Sequence, residues 1–77
     1  MKERIYVIVA DVLGIDVVEV TDDSSRETVD SWDSLSHLRI VTALEQEFGI
    51  HLTMDEIGDA TSVGRLLAVV AKRSWQA

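Results

Sequence analysis

Apolar residues return at helical spacing near the start of the chain, where Ile5, Ile8, Val9, Val12 and Leu13 fall at i, i+3, i+4, i+7 and i+8. That spacing predicts an amphipathic helix, and Gly14 is the residue type that ends one. From Ile15 to Asp33 the pattern breaks. Val17, Val18 and Val20 precede a polar cluster, Thr21-Asp22-Asp23-Ser24-Ser25-Arg26-Glu27-Thr28. Alternation among the valines suggests a strand, but one isolated strand has nothing to pair with. The stretch is therefore predicted to be a long loop whose valines, together with Trp32, dip into the core. Structureless loops of this length are usually functional or disordered, which directs attention to the end of this one.

Helical spacing resumes after Asp33. Leu38, Val41, Leu44 and Phe48 form the expected buried stripe, with Ser36, Arg39 and Gln46 on the opposite side. Asp33 suits the N-cap, since its carboxylate accepts hydrogen bonds from first-turn amides and complements the helix dipole. Ser34 then takes the first helical position, and Gly49 is the stop. Thr53-Met54-Asp55-Glu56 has the Thr-x-x-Glu form of a capping box, which predicts a short helix over Met54 to Ile57 closed by Gly58. Thr61 or Ser62 caps a last helix in which Val63, Leu66, Leu67 and Val70 face the core and Lys72 and Arg73 suit its C-terminal end. Ser74 to Ala77 are expected to fray. With no proline and no hairpin signal, the predicted class is all-α: a four-helix bundle with three longer helices, a short third one, and a long loop between helices 1 and 2.

Size and charge narrow the possible roles. At 77 residues the chain is expected to be one domain over residues 1–77, near the size where a single core only just suffices. It has 0 cysteines, so neither a disulfide nor a thiolate metal site supports it. A formal charge of −7, from 14 acidic and 7 basic residues, argues against nucleic acid and anionic membranes as partners and in favour of basic protein surfaces. No apolar run approaches the roughly 18 residues of a membrane span. Met1-Lys2-Glu3-Arg4 alternates charges where a signal peptide needs an apolar stretch. A cytoplasmic monomer is the expectation.

Candidate chemistry is sparse. Ser34 and His37, three apart on one helix, with Asp33 or Asp30, have the residue types of a nucleophile and base. Neighbours on one helix rarely reach the required geometry, and no glycine-rich oxyanion loop accompanies them. His37 and His51 have no further ligands at metal spacing, so neither a catalytic nor a metal site is expected. Trp32 reads as a packing residue beside Ser34. Glu45 and Glu47 read equally as a solvated face or a docking patch.

What distinguishes the chain is Asp33-Ser34-Leu35 at the mouth of a helix, in register with Leu44-Glu45-Gln46-Glu47-Phe48-Gly49-Ile50, a short third helix, and Thr61-Ser62-Val63 opening the last one. Over nearly its whole length this order resembles the acyl carrier proteins. The resemblance implies a non-catalytic carrier of the acyl-carrier fold, with a 4'-phosphopantetheine arm from coenzyme A attached covalently to Ser34. Asp33 and Leu35 would be flanking recognition residues, with Asp33 also meeting metal or base in the modifying enzyme. The implied partners are a separate Mg²⁺-dependent phosphopantetheinyl transferase and acyl-loading and acyl-processing enzymes, such as a ligase, ketosynthase or acyltransferase. The lack of cysteine fits this picture, because a thioester carrier without its own thiol must receive sulfur on an added group. Ile40, Ala43, Val63 and Leu66 are expected to line any cleft for an acyl chain.

The departures from the family pattern are informative. Primary fatty-acid carriers usually have a strongly acidic second helix, whereas Ser36, Arg39 and Gln46 stand here at positions where acids are common. Peptidyl carriers usually approach the serine through a Gly-Gly-x-Ser type sequence, which Ser31-Trp32-Asp33 does not supply. Trp32-Asp33-Ser34-Leu35 looks more like discrete carriers of specialised bacterial pathways, such as polyketide, modified-lipid or saccharide-acylation clusters. An aminoacyl or peptidyl carrier, and an unmodified carrier-like interaction module, are the alternatives.

Overall fold

Ile5, Ile8, Val9, Ala10 and Leu13 line the buried face of the first helix, α1 (Lys2–Leu13), in agreement with the helical spacing. Gly14 follows with φ 69°, a left-handed conformation in which a side chain would be strained. The computed structural model describes residues 2–75. After α1 come a 3-10 turn (Val17–Glu19), α2 (Ser34–Phe48), the short α3 (Met54–Asp59) and α4 (Val63–Trp75). The architecture is the all-α one expected. α1 packs against α2, α4 and the 3-10 turn, and α2 packs against α4. Between them lies a core centred on Ile5, Val9, Trp32, Ile40, Leu44, Val63, Leu66 and Val70.

Local caps explain most boundaries. Asp33 and Thr53 are the N-caps of α2 and α3, and Thr53 and Glu56 complete both halves of the capping box. Gly49, at φ 64°, ends α2 in the left-handed region. For α4 the two proposed caps resolve to Ser62, whose hydroxyl accepts from the Arg65 amide at 3.3 Å. α3 runs through Gly58 to Asp59, so that glycine lies inside the helix and Ala60 is the C-cap. The helix is thus two residues longer than expected, and Ala60 as its C-cap donates to the Glu56 carbonyl at 3.0 Å. Ser74 and Trp75, expected to fray, belong to α4, while Gln76 and Ala77 lie outside the described residues.

Two expectations about burial need correction. In the loop, Val20 and Trp32 are buried as expected, but Val17 is exposed and Val18 is 80% exposed. The capping box formed by Asp16 and Glu19 winds this segment into a 3-10 turn, which turns the two valines outward. On α2, Leu38 is 54% exposed and Phe48 only partly buried. The buried face is instead His37, Ile40, Val41 and Leu44. A polar residue, His37, takes the place expected of Leu38, so the stripe is rotated about the helix axis. Of the residues expected to line a cleft, Ile40, Val63 and Leu66 are fully buried in the core, and Ala43 borders a groove with Arg4, Ile8, Asp11, Val12, Gln46 and Glu47.

The loop is ordered by a partner distant in sequence. The carbonyls of Asp22 and Ser24 accept from the Gly64 and Val63 amides at 2.9 Å each, and the Arg26 amide donates to the Thr61 carbonyl at 3.1 Å. Ser25 and Ser62 form an isolated antiparallel bridge at the same place. First-turn amides of a helix have no partner within that helix; for α4, the loop supplies acceptors for those of Val63 and Gly64. Gly64 permits the approach, since a Cβ there would lie 3.2 Å from the Asp22 carbonyl oxygen.

Candidate functional site

Ser34 is the first residue of α2 and is exposed. Three elements set its surroundings. Asp33 precedes it in extended conformation, and its carboxylate accepts from the Ser36 amide at 2.8 Å. That amide, aided by the Ser36 hydroxyl, holds the Asp33 carboxyl below the usual carboxylate range, so the cap carries its negative charge at the positive end of the helix. Leu35 follows and is 60% exposed, beside the likewise exposed Leu38 one turn on. An apolar surface therefore adjoins the serine.

Behind the serine the chain is anchored. Trp32 is 2% exposed and donates from its indole nitrogen to His37 Nδ1 at 3.1 Å. His37 Nε2 lies 2.7 Å from the Ile57 carbonyl oxygen. With Nδ1 accepting, the proton sits on Nε2 and is donated to that carbonyl. Both ring nitrogens are engaged away from Ser34, so the serine and histidine do not form a nucleophile and base pair. Among the described residues no group of His, Cys, Asp and Glu is arranged to hold a metal ion.

The third element is one that sequence reading missed. The Arg26 guanidinium donates from Nη2 to Ser34 Oγ at 3.1 Å. Arg26 sits in a polar cluster whose spacing gives no structural clue, and the fold brings it to the serine through the pairing of residues 22–26 with the start of α4. The other proposed recognition residues, Asp33 and Leu35, flank Ser34 as chain neighbours.

This arrangement fits a phosphate-linked prosthetic group. An exposed hydroxyl oxygen stands at a helix N-terminus with a guanidinium in contact, and both favour an attached anion. The chain has 0 cysteines, so a thiol must come with that group.

A small helical bundle with an exposed serine at the capped start of its second helix has the arrangement of a carrier-type domain. The family model for the phosphopantetheine attachment site matches residues 3–70. The chain belongs to this family of acyl carriers, and its cofactor is covalently attached 4'-phosphopantetheine. It is 46% identical over 63 residues to polyketide-8 synthase acyl carrier protein 2 of Streptomyces avermitilis, covering 80% of this chain and 71% of the relative. It is 39% identical over 62 residues to the acyl carrier protein of Clostridium acetobutylicum, covering 80% of each. The solution NMR structure of holo acyl carrier protein from Geobacter metallireducens superposes with a TM-score of 0.86 at 28% identity, over 97% of this chain and 86% of that one.

Proposed function

We propose that Ser34 Oγ is the attachment point of the arm and that the chain presents acyl intermediates of a polyketide-type or related specialised pathway as thioesters on it. The observation that carries the attachment point is the exposed Ser34 at the Asp33-capped start of α2. A separate phosphopantetheinyl transferase joins the serine oxygen to the β-phosphorus of coenzyme A. The bond from that phosphorus to the nucleotide bisphosphate breaks, and the hydroxyl proton passes to a base of the transferase. Asp33, by the same reading, meets the metal or base of that enzyme, and Leu35 with Leu38 forms the apolar surface on which partners seat.

In this role the chain performs no reaction itself. It raises the effective concentration of its cargo at each partner active site. The polyketide assignment is supported by the Streptomyces relative and by the Trp32-Asp33-Ser34-Leu35 approach to the serine. Among the described residues no helix is long and apolar enough to cross a membrane. The reading further takes the chain to be a single-domain monomer acting in the cytoplasm.

Intact mass after incubation with coenzyme A, Mg²⁺ and a promiscuous transferase tests the attachment point. The parent gains one phosphopantetheine unit and Ser34→Ala gains none. A gain that survives Ser34→Ala overturns the assignment of Ser34. No gain in a folded parent would leave a carrier-like module that acts only through its surface.

A further inference from the structure

We infer that Arg26 is a positioning residue for the arm: once Ser34 is modified, its guanidinium pairs with the phosphodiester and holds the first segment of the arm against the loop. The inference rests on Ser34 as the attachment point. Arg26 already donates to Ser34 Oγ at 3.1 Å, and modification places on that same atom a phosphorus whose two non-bridging oxygens share one negative charge. Guanidinium is the side chain whose donor geometry best matches such a group.

Charge makes the pairing consequential. A phosphodiester on Ser34 adds an anion next to the Asp33 carboxylate, in a chain that already carries −7. Like charges this close oppose each other. Four of the basic residues are engaged elsewhere: Lys2 with Asp22, Arg4 with Glu47, Arg73 with Glu56, and Arg65 with the Asp59 carbonyl. Arg26 is the cation that the fold delivers to the serine. Its delivery is also prepaid in part, because the Arg26 amide is fixed on the Thr61 carbonyl at 3.1 Å. Exposed ion pairs are weak when two long side chains must both be ordered; here one partner is a covalent appendage and the other springs from a fixed backbone.

The test compares the parent with Arg26→Gln and Arg26→Lys, each taken to complete modification with excess transferase so that loading speed does not enter. Intact mass first establishes the arm. The ³¹P resonance of the phosphodiester is then recorded at low and high salt, and the thermal midpoints of unmodified and modified forms are compared. The expected result is a ³¹P resonance displaced in Arg26→Gln relative to the parent, with Arg26→Lys between them. Rising salt should move the parent toward the Gln variant. The midpoint difference between modified and unmodified protein should also become less favourable in Arg26→Gln, while the unmodified forms melt alike. Identical ³¹P resonances and identical midpoint differences in a fully modified pair overturn the role of Arg26 and leave Ser34 as the attachment point. A parent that gains no mass, or a Ser34→Ala variant that does, overturns both.

Discussion

The Trp32 indole donates to Nδ1 of His37 at 3.1 Å, and the two rings stack with centroids 6.2 Å apart and planes 28° apart. His37 passes the connection on to the Ile57 carbonyl, so one chain of hydrogen bonds, buried at its Trp32 end, ties the end of the loop to α2 and α3. Removing one partner leaves a buried group unsatisfied, which costs about 1–3 kcal/mol. Trp32→Phe should therefore lower the unfolding free energy by at least that amount in urea denaturation. A midpoint equal to the parent's would refute the structural importance of this bond.

How far the sequence revealed this molecule depends on the distance over which each feature is decided. Gly14, Gly49, Asp33 and the Thr53–Glu56 box mark boundaries through contacts within a few residues, and all four act as expected. The extent of the short third helix and the phase of α2 were less legible. Counting apolar residues selects Leu38, whereas the core accepts His37 because Trp32 and Ile57 satisfy its two nitrogens. Arg26 could not be found at all in this way. Its place beside Ser34 depends on pairing with residues 61–64, which no local pattern announces.

Of two leucines expected to face the core, Leu66 on α4 does so and Leu38 on α2 does not. Leu66 is fully buried, and Leu66→Ala should cost about 2–5 kcal/mol. Leu38 is exposed, and Leu38→Ala should change stability by no more than about 0.5 kcal/mol. Paired urea titrations measure both. Equal losses would place Leu38 in the core after all.

Glu56 makes part of the fold's stability depend on pH at the acid end. The Arg73 guanidinium, foremost, and the Thr53 amide lower its pKa from 4.5 to about 2. As pH falls, the unfolded chain takes up this proton first, so the stabilisation is whole above pH 4.5 and is lost progressively toward pH 2. The urea midpoint of the parent should fall between about pH 5 and about pH 3, and Glu56→Gln should show a shallower fall over that window. Parallel curves for the two proteins would remove Glu56 from this role.

The pairing of residues 22–26 with the start of α4 has a practical consequence for anyone who wishes to graft this carrier into a larger assembly. A junction placed after α2 would retain the Asp33-Ser34-Leu35 signature and still discard the far half of the splint that seats Arg26. Such a hybrid would keep the address at which the arm is delivered but not its surroundings. Chimeras should therefore exchange the segments around Arg26 and Thr61 as a matched pair, even though sequence-based alignment of the attachment motif alone would treat them as independent.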